Sequence, residues 1–146
     1  MPPGAPPVGL VPELIVSELG ASLRFYCELL RFEVRYARPE ERFACLQRQR
    51  AELMLEQPLS RDRLWPREEL KQPYGRGLNL EVRVDDIDEL HAAVVGAGLE
   101  LFLPLEERWY ARAVDEVGVR QFAVQDPDGY LIRLSQTFAI RPLRVV

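Results

Sequence analysis

Carboxylates and arginines at alternating strand positions are the residues of this chain best suited to chemistry. Glu13 and Ile15 share one phase of a short strand; Glu52, Met54 and Glu56 share another; Asn79, Glu81 and Arg83 a third; Leu131, Arg133 and Ser135 a fourth. Successive side chains of a strand point to opposite faces, so each set lies on one side of its sheet. A face holding Glu13, Glu52, Glu56, Glu81, Arg83 and Arg133 is too charged for a dry core. Two readings stay open: a solvated sheet surface laced with weak ion pairs, or a polar, water-filled cleft that accepts a polar ligand. His91 is the only histidine, which excludes two-histidine metal triads and paired-histidine acid–base chemistry. Cys27 and Cys45 make no metal-ligand spacing and read as reduced core thiols.

These residues are positioned by a unit written twice. Glu13-Leu14-Ile15-Val16-Ser17-Glu18-Leu19 leads into Ala21-Ser22-Leu23-Arg24-Phe25-Tyr26, and Glu81-Val82-Arg83-Val84-Asp85-Asp86-Ile87 leads into Asp88-Glu89-Leu90-His91-Ala92-Ala93-Val94. In both, an alternating strand meets a helix start and an amphipathic helix, and further strands follow. Ser17 is expected to cap a first helix running to about Arg31, and Asp86 with Glu89 forms a capping-box-like start for a second that Gly96 and Gly98 close. Strands are expected over 11–16, 32–36, 43–47, 52–56, 78–84, 99–103, 109–113, 120–125 and 130–136, with turns at 115–118 and at Asp126-Pro127-Asp128-Gly129. The result is an α+β fold of two βαβββ modules forming a curled mixed β-sheet cleft. Residues 1–9 read as a tail, 10–57 as the first module, 58–76 as a linker with one helical turn at Arg67–Lys71, 77–137 as the second module and 138–146 as a C-terminal tail.

Composition narrows the partners. A net charge of −4 in 146 residues gives no footprint for nucleic acid. The chain has neither a long apolar run for a membrane span nor a signal-peptide pattern at its start, so a cytoplasmic protein is expected.

Leu14-Ile15-Val16-Ser17-Glu18-Leu19 before Ser22-Leu23-Arg24-Phe25-Tyr26, together with Phe122 to Ile132 around Asp126-Pro127-Asp128-Gly129, resembles the vicinal oxygen chelate superfamily of glyoxalases, extradiol dioxygenases and antibiotic resistance proteins. The similarity spans roughly residues 10–137. Metal-dependent members of that group place ligands at four positions, and the resemblance puts these at Val11, Glu52, Asn79 and Arg133. Only Glu52 is an anionic oxygen donor, and an arginine, always protonated, repels a divalent ion. The resemblance therefore implies neither metal nor other cofactor and no catalytic residue, with Glu52 and Arg133 as a charge pair across the cleft.

That pattern, with Pro12-Glu13-Leu14, Arg38-Pro39-Glu40-Glu41-Arg42-Phe43 and Ala51-Glu52-Leu53-Met54-Leu55, is similar to the bleomycin resistance branch, whose dimers sequester a cationic glycopeptide. It implies a homodimer that binds a small molecule at Phe43, Glu52, Glu56, Trp65, Trp109, Tyr110, Glu116 and Arg133, aromatics stacking on flat groups and carboxylates meeting cations. The tryptophan that members often carry before a glycine is Val117 here, before Gly118, and Trp109 and Tyr110 are expected to replace it. Alternatives are an enzyme with a metal held elsewhere, for example by Glu13, Glu52 and Glu81, and a binding protein for an unrelated metabolite or for another protein.

Overall fold

The computed structural model describes residues 7–144 and divides into two compact units, one up to Tyr74 plus Pro127–Gly129, the other Gly75–Asp126 plus the chain from Tyr130 onward. The tail expected over 1–9 lies outside the described residues up to position 6. Each unit is a βαβββ module with a four-stranded mixed sheet, as the repeat predicts.

In the first unit β1 (Glu13–Ile15) runs parallel to β4 (Ala51–Glu56), which pairs antiparallel with β3 (Phe43–Arg48), and β3 with β2 (Glu33–Arg38). Leu14, Leu53, Leu55, Ala44 and Leu46 are buried, together with Phe25, Tyr26 and Leu30 of the helical segment. That segment is not the regular helix expected. α1 (Leu19–Leu23) widens into a π-helical turn over Arg24–Leu29, where Leu30 N–H donates to the carbonyl of Phe25 at 3.2 Å. The widened turn sets the rings of Phe25, Tyr26 and Phe32 in successive edge-to-face contacts, with centroids 4.9 and 5.9 Å apart. In the linker the helical turn is at Arg61–Arg63, not at 67–71.

In the second unit β5 (Asn79–Arg83) runs parallel to β8 (Leu131–Pro142), which pairs antiparallel with β7 (Asp115–Gln125), and β7 with β6 (Leu101–Ala111). Helix α2 (Ile87–Gly96) buries Ile87, Leu90 and Val94, and the His91 ring meets Phe122 at 5.4 Å in a T-shaped contact. Three boundaries differ from expectation. β6 is continuous where a loop before Trp109 is predicted, and β7 begins at Asp115 where a turn is predicted. The hairpin bends one step earlier because Arg112 clamps Asp115 with two hydrogen bonds of 2.6 and 2.7 Å. β8 runs on to Pro142, through the start of the predicted tail, because β7 offers it pairing partners as far as Asp115.

Neither helix is capped by the residue read from the sequence. Ser17 instead donates both its N–H and its hydroxyl to the Asp128 carboxylate, which is fully buried in the Asp-Pro-Asp-Gly turn. The first N–H of each helix is met by a glutamine from beyond a strand end or within one. Leu19 N–H donates to the Gln57 side chain at 3.0 Å, and Ile87 N–H to that of Gln136 at 2.9 Å. Either contact satisfies a donor that a helix start leaves open. Gly129 keeps its turn tight: at φ +91° it lies so close to Pro73 that a Cβ would fall 2.6 Å from the proline Cα.

Candidate functional site

Register fixes which side chains share a face. In the second unit β5 and β8 pair Asn79 with Leu131, Glu81 with Arg133 and Arg83 with Ser135, while Ser135 faces Gln121 and Gln121 faces Glu106. Two residues on along the strands come Val119, Thr137 and Arg108, then Val117 and Tyr110. This is the polar face that the alternation predicts. It forms a pocket of about 320 Å³ lined by Glu81, Arg83, Tyr110, Arg112, Arg133 and Thr137 over a floor of Val117 and Val119.

A hydrogen-bonded network organises it around Gln121, which is only 1% exposed. The Gln121 amide nitrogen donates to Glu106 at 2.9 Å and to the Tyr110 hydroxyl at 2.7 Å, and its amide oxygen accepts from Arg133 at 2.9 Å. Arg133 also lies 3.4 Å from one oxygen of Glu81, whose other oxygen accepts from Ser135 at 2.8 Å. Gln121 is the residue sequence reading missed. The signal that could have found it is its place on the charged phase of a strand next to Arg133.

The first unit's equivalent face carries Glu13, Ile15, Tyr36, Arg38, Phe43, Cys45, Glu52, Met54 and Glu56. Glu52 is held by Arg35 at 2.7 Å and accepts from the buried Cys45 thiol at 3.2 Å. Burial first, and then that carboxylate, push the Cys45 thiol up, which favours its neutral form. Glu13 is pushed up by burial and by a hydrogen bond with Glu56. Glu52 and Arg133, read as a charge pair, each find their partner within their own unit.

The predicted ligand-contacting residues separate. Tyr110 and Arg133 line the second unit's pocket. Trp109 and Glu116 are on the opposite face of that sheet, because neighbouring strand residues cannot both face one side. Trp109 packs edge-on against Phe138 at 5.5 Å, and the Arg141 guanidinium covers its ring at 3.7 Å while bonding Glu116 at 2.6 Å. Phe43, Glu52 and Glu56 share the first unit's face, with the Arg38 guanidinium 3.9 Å over the Phe43 ring. Trp65 stands in the linker, 86% exposed.

Register also revises the metal question. Val16 and Val84 correspond at an offset of 68, and Glu13 with Met54 matches Glu81 with Arg133. The counterpart of Arg133 is therefore Met54, one same-face step from Glu52. Val11, Met54, Asn79 and Arg133 offer no anionic ligand at all, and such a set does not fit a divalent metal. No group of three or more His, Cys, Asp or Glu among the described residues is placed to hold one.

The chain belongs to the Glyoxalase/Bleomycin resistance protein/Dioxygenase superfamily, whose model matches residues 10–134. A superfamily member from Vibrio splendidus 12B01 is 34% identical over 86% of this chain and 95% of its own, with a TM-score of 0.41. TioX from Micromonospora sp. ML1 is 20% identical over 88% of this chain and 98% of its own, with a TM-score of 0.66. A virulence protein from Salmonella typhimurium is 22% identical over 88% and 94%, with a TM-score of 0.63. The last two likenesses speak for the fold alone. Among curated proteins, none matches the chain.

Proposed function

We propose that the chain is a binding protein that holds a small polar molecule without converting it. The observation that supports this most is Arg133. At a position where metal-dependent relatives are expected to place a ligand, this chain has a guanidinium anchored on Gln121 and Glu81. A fixed cation there substitutes for a metal's charge but supplies neither an open coordination site nor a bound water to activate. A cytoplasmic homodimer is the setting that goes with this reading. The test is elemental analysis of purified protein combined with a thermal-shift panel, since a ligand that binds only the folded chain raises the midpoint. We expect no stoichiometric transition metal and a shift with one class of small molecule. About one tightly held metal ion per chain would overturn the reading.

A second reading, sequestration of a cationic antibiotic of the bleomycin type, draws on the first unit. There a flat guanidinium already lies on Phe43 within a face that also carries Glu13, Glu52 and Glu56. An external cation would have to displace Arg38 and compete with Arg35 for Glu52. Calorimetric titration with bleomycin separates the readings: heat that is lost in Phe43→Ala supports the second, and none at high micromolar drug removes it.

A further inference from the structure

The second unit's pocket carries a bias of charge that family membership does not predict. Its charged lining is three arginines against Glu81. Arg112 is neutralised by the two-pronged contact with Asp115, and Arg133 by Glu81. Arg83 has no hydrogen-bond or ion-pair partner among the described residues. The acceptors already hold donors. Both oxygens of Glu81 are engaged by Ser135 and Arg133, and the amide oxygen of Gln121 by Arg133. Donors remain. The Tyr110 oxygen accepts from Gln121, which leaves its own O–H to donate, and the Thr137 hydroxyl has no partner among the described residues.

We propose that this pocket takes a small organic anion with a carboxylate or phosphonate head and an apolar body. The head would lie on Arg83 and the exposed edge of Arg133, with Tyr110 and Thr137 donating to it, and the body on Val117 and Val119. Arg83 stands one same-face step beyond Glu81, the partner of Arg133. The two arginine Cα atoms are therefore about 8 Å apart, within reach of one oxyanion head for two long side chains. The volume of about 320 Å³ suits a molecule of that size. The inference rests on the ligand-binding reading and sharpens it by naming the ligand's charge.

The test is an NMR titration that follows the arginine Nε–Hε signals, with phenylphosphonate and benzoate as anionic probes and spermidine as a cationic one. We expect saturable shifts of Arg83 and Arg133 with phenylphosphonate, at a Kd of about 1 mM or tighter. Binding should weaken at least about tenfold in Arg83→Gln, a loss of roughly 1.4 kcal/mol, and stay unchanged in Arg50→Gln at the turn after β3. Arg83 has no partner to lose, so the variant should keep its fold. Unaltered binding in Arg83→Gln, or no saturable shift with either anion, overturns the proposal. Spermidine shifting these signals in place of the anions overturns it too, but leaves the ligand-binding reading standing. Product signals from a bound anion support the site while removing the claim that the protein does not convert its ligand.

Discussion

Replacing Gln121 by methionine keeps side-chain length and volume but deletes three hydrogen bonds at once. Glu106 and Arg133 are charged partners and Tyr110 a neutral one. Bonds to charged groups contribute about 1.5–3 kcal/mol each and neutral ones about 1 kcal/mol. The partners soften the loss. Arg133 keeps Glu81 and its side chain is 26% exposed, while Tyr110 is 37% exposed, so both regain water. The low ends add to about 4 kcal/mol, and the regained water brings the net destabilisation to roughly 2–4 kcal/mol, a large share of a domain's stability. Urea unfolding followed by far-ultraviolet circular dichroism measures it. Gln121→Met with Arg133→Met should cost less than the sum of the single variants, because the pair shares one bond. A loss below about 0.5 kcal/mol for Gln121→Met would mean that water already competes for these groups, and the pocket would not be pre-organised.

Gly118→Ala should destabilise the second unit by about 1–3 kcal/mol and change Trp109 fluorescence. The new Cβ would lie 2.8 Å from Phe138 and 3.0 Å from Trp109. An unchanged emission spectrum and midpoint would contradict that packing. Gln57→Ala and Gln136→Ala should each cost about 1 kcal/mol in chemical denaturation, as lost helix caps, and Asp86→Ala should not cost the same cap. Glu13 sets a pH dependence. Its folded-state pKa is raised above the ordinary 4.5 by burial and by Glu56, so the folded state holds its proton more tightly than the unfolded chain does. That contribution is fully present below 4.5 and is lost as pH rises through the raised folded value. Glu13→Gln should therefore gain stability relative to wild type as pH rises toward neutrality, and parallel stability–pH curves for the two proteins would refute the upward shift of Glu13.

Strand alternation alone separated the polar face from the helix-covered one in both halves, because a period of two leaves no freedom once a strand is recognised. The same rule, applied strictly, would have split Trp109 from Tyr110. Their shared aromatic character points to a common ligand, but adjacent positions on a strand face opposite sides. The helix caps were illegible for another reason. Ser17 and Asp86 have the chemistry of caps, but Gln57 and Gln136 reach the helix starts through parallel strand pairing, a long-range contact that no local motif carries. The first helix's widened turn was hidden too, since Leu19, Leu23, Tyr26 and Leu30 fit regular spacing and only the packing of Phe25 and Phe32 rules it out.

The two halves use one scaffold to make chemically opposite surfaces. Glu13 and Glu81 occupy the same place in their repeats, and so do the two glutamines that cap the helices, at an offset of 79. Around Glu81 the parallel strand supplies Arg133 beside it and Ser135 one same-face step on. Around Glu13 the corresponding places hold Met54 and Glu56. A carboxylate next to a guanidinium and a hydroxyl is engaged as an acceptor by both. A carboxylate next to a thioether and a second carboxylate is pushed up instead, by burial and by that second carboxylate, against the weaker opposing pull of Arg38 and Arg63. Two substitutions at equivalent strand positions thus turn an acidic face into a donor-rich one. The divergence argues for a single ligand-receiving face rather than two alike, because the same small molecule cannot be matched by both. Arg83 completes the contrast: its counterpart, Ile15, carries no charge at all.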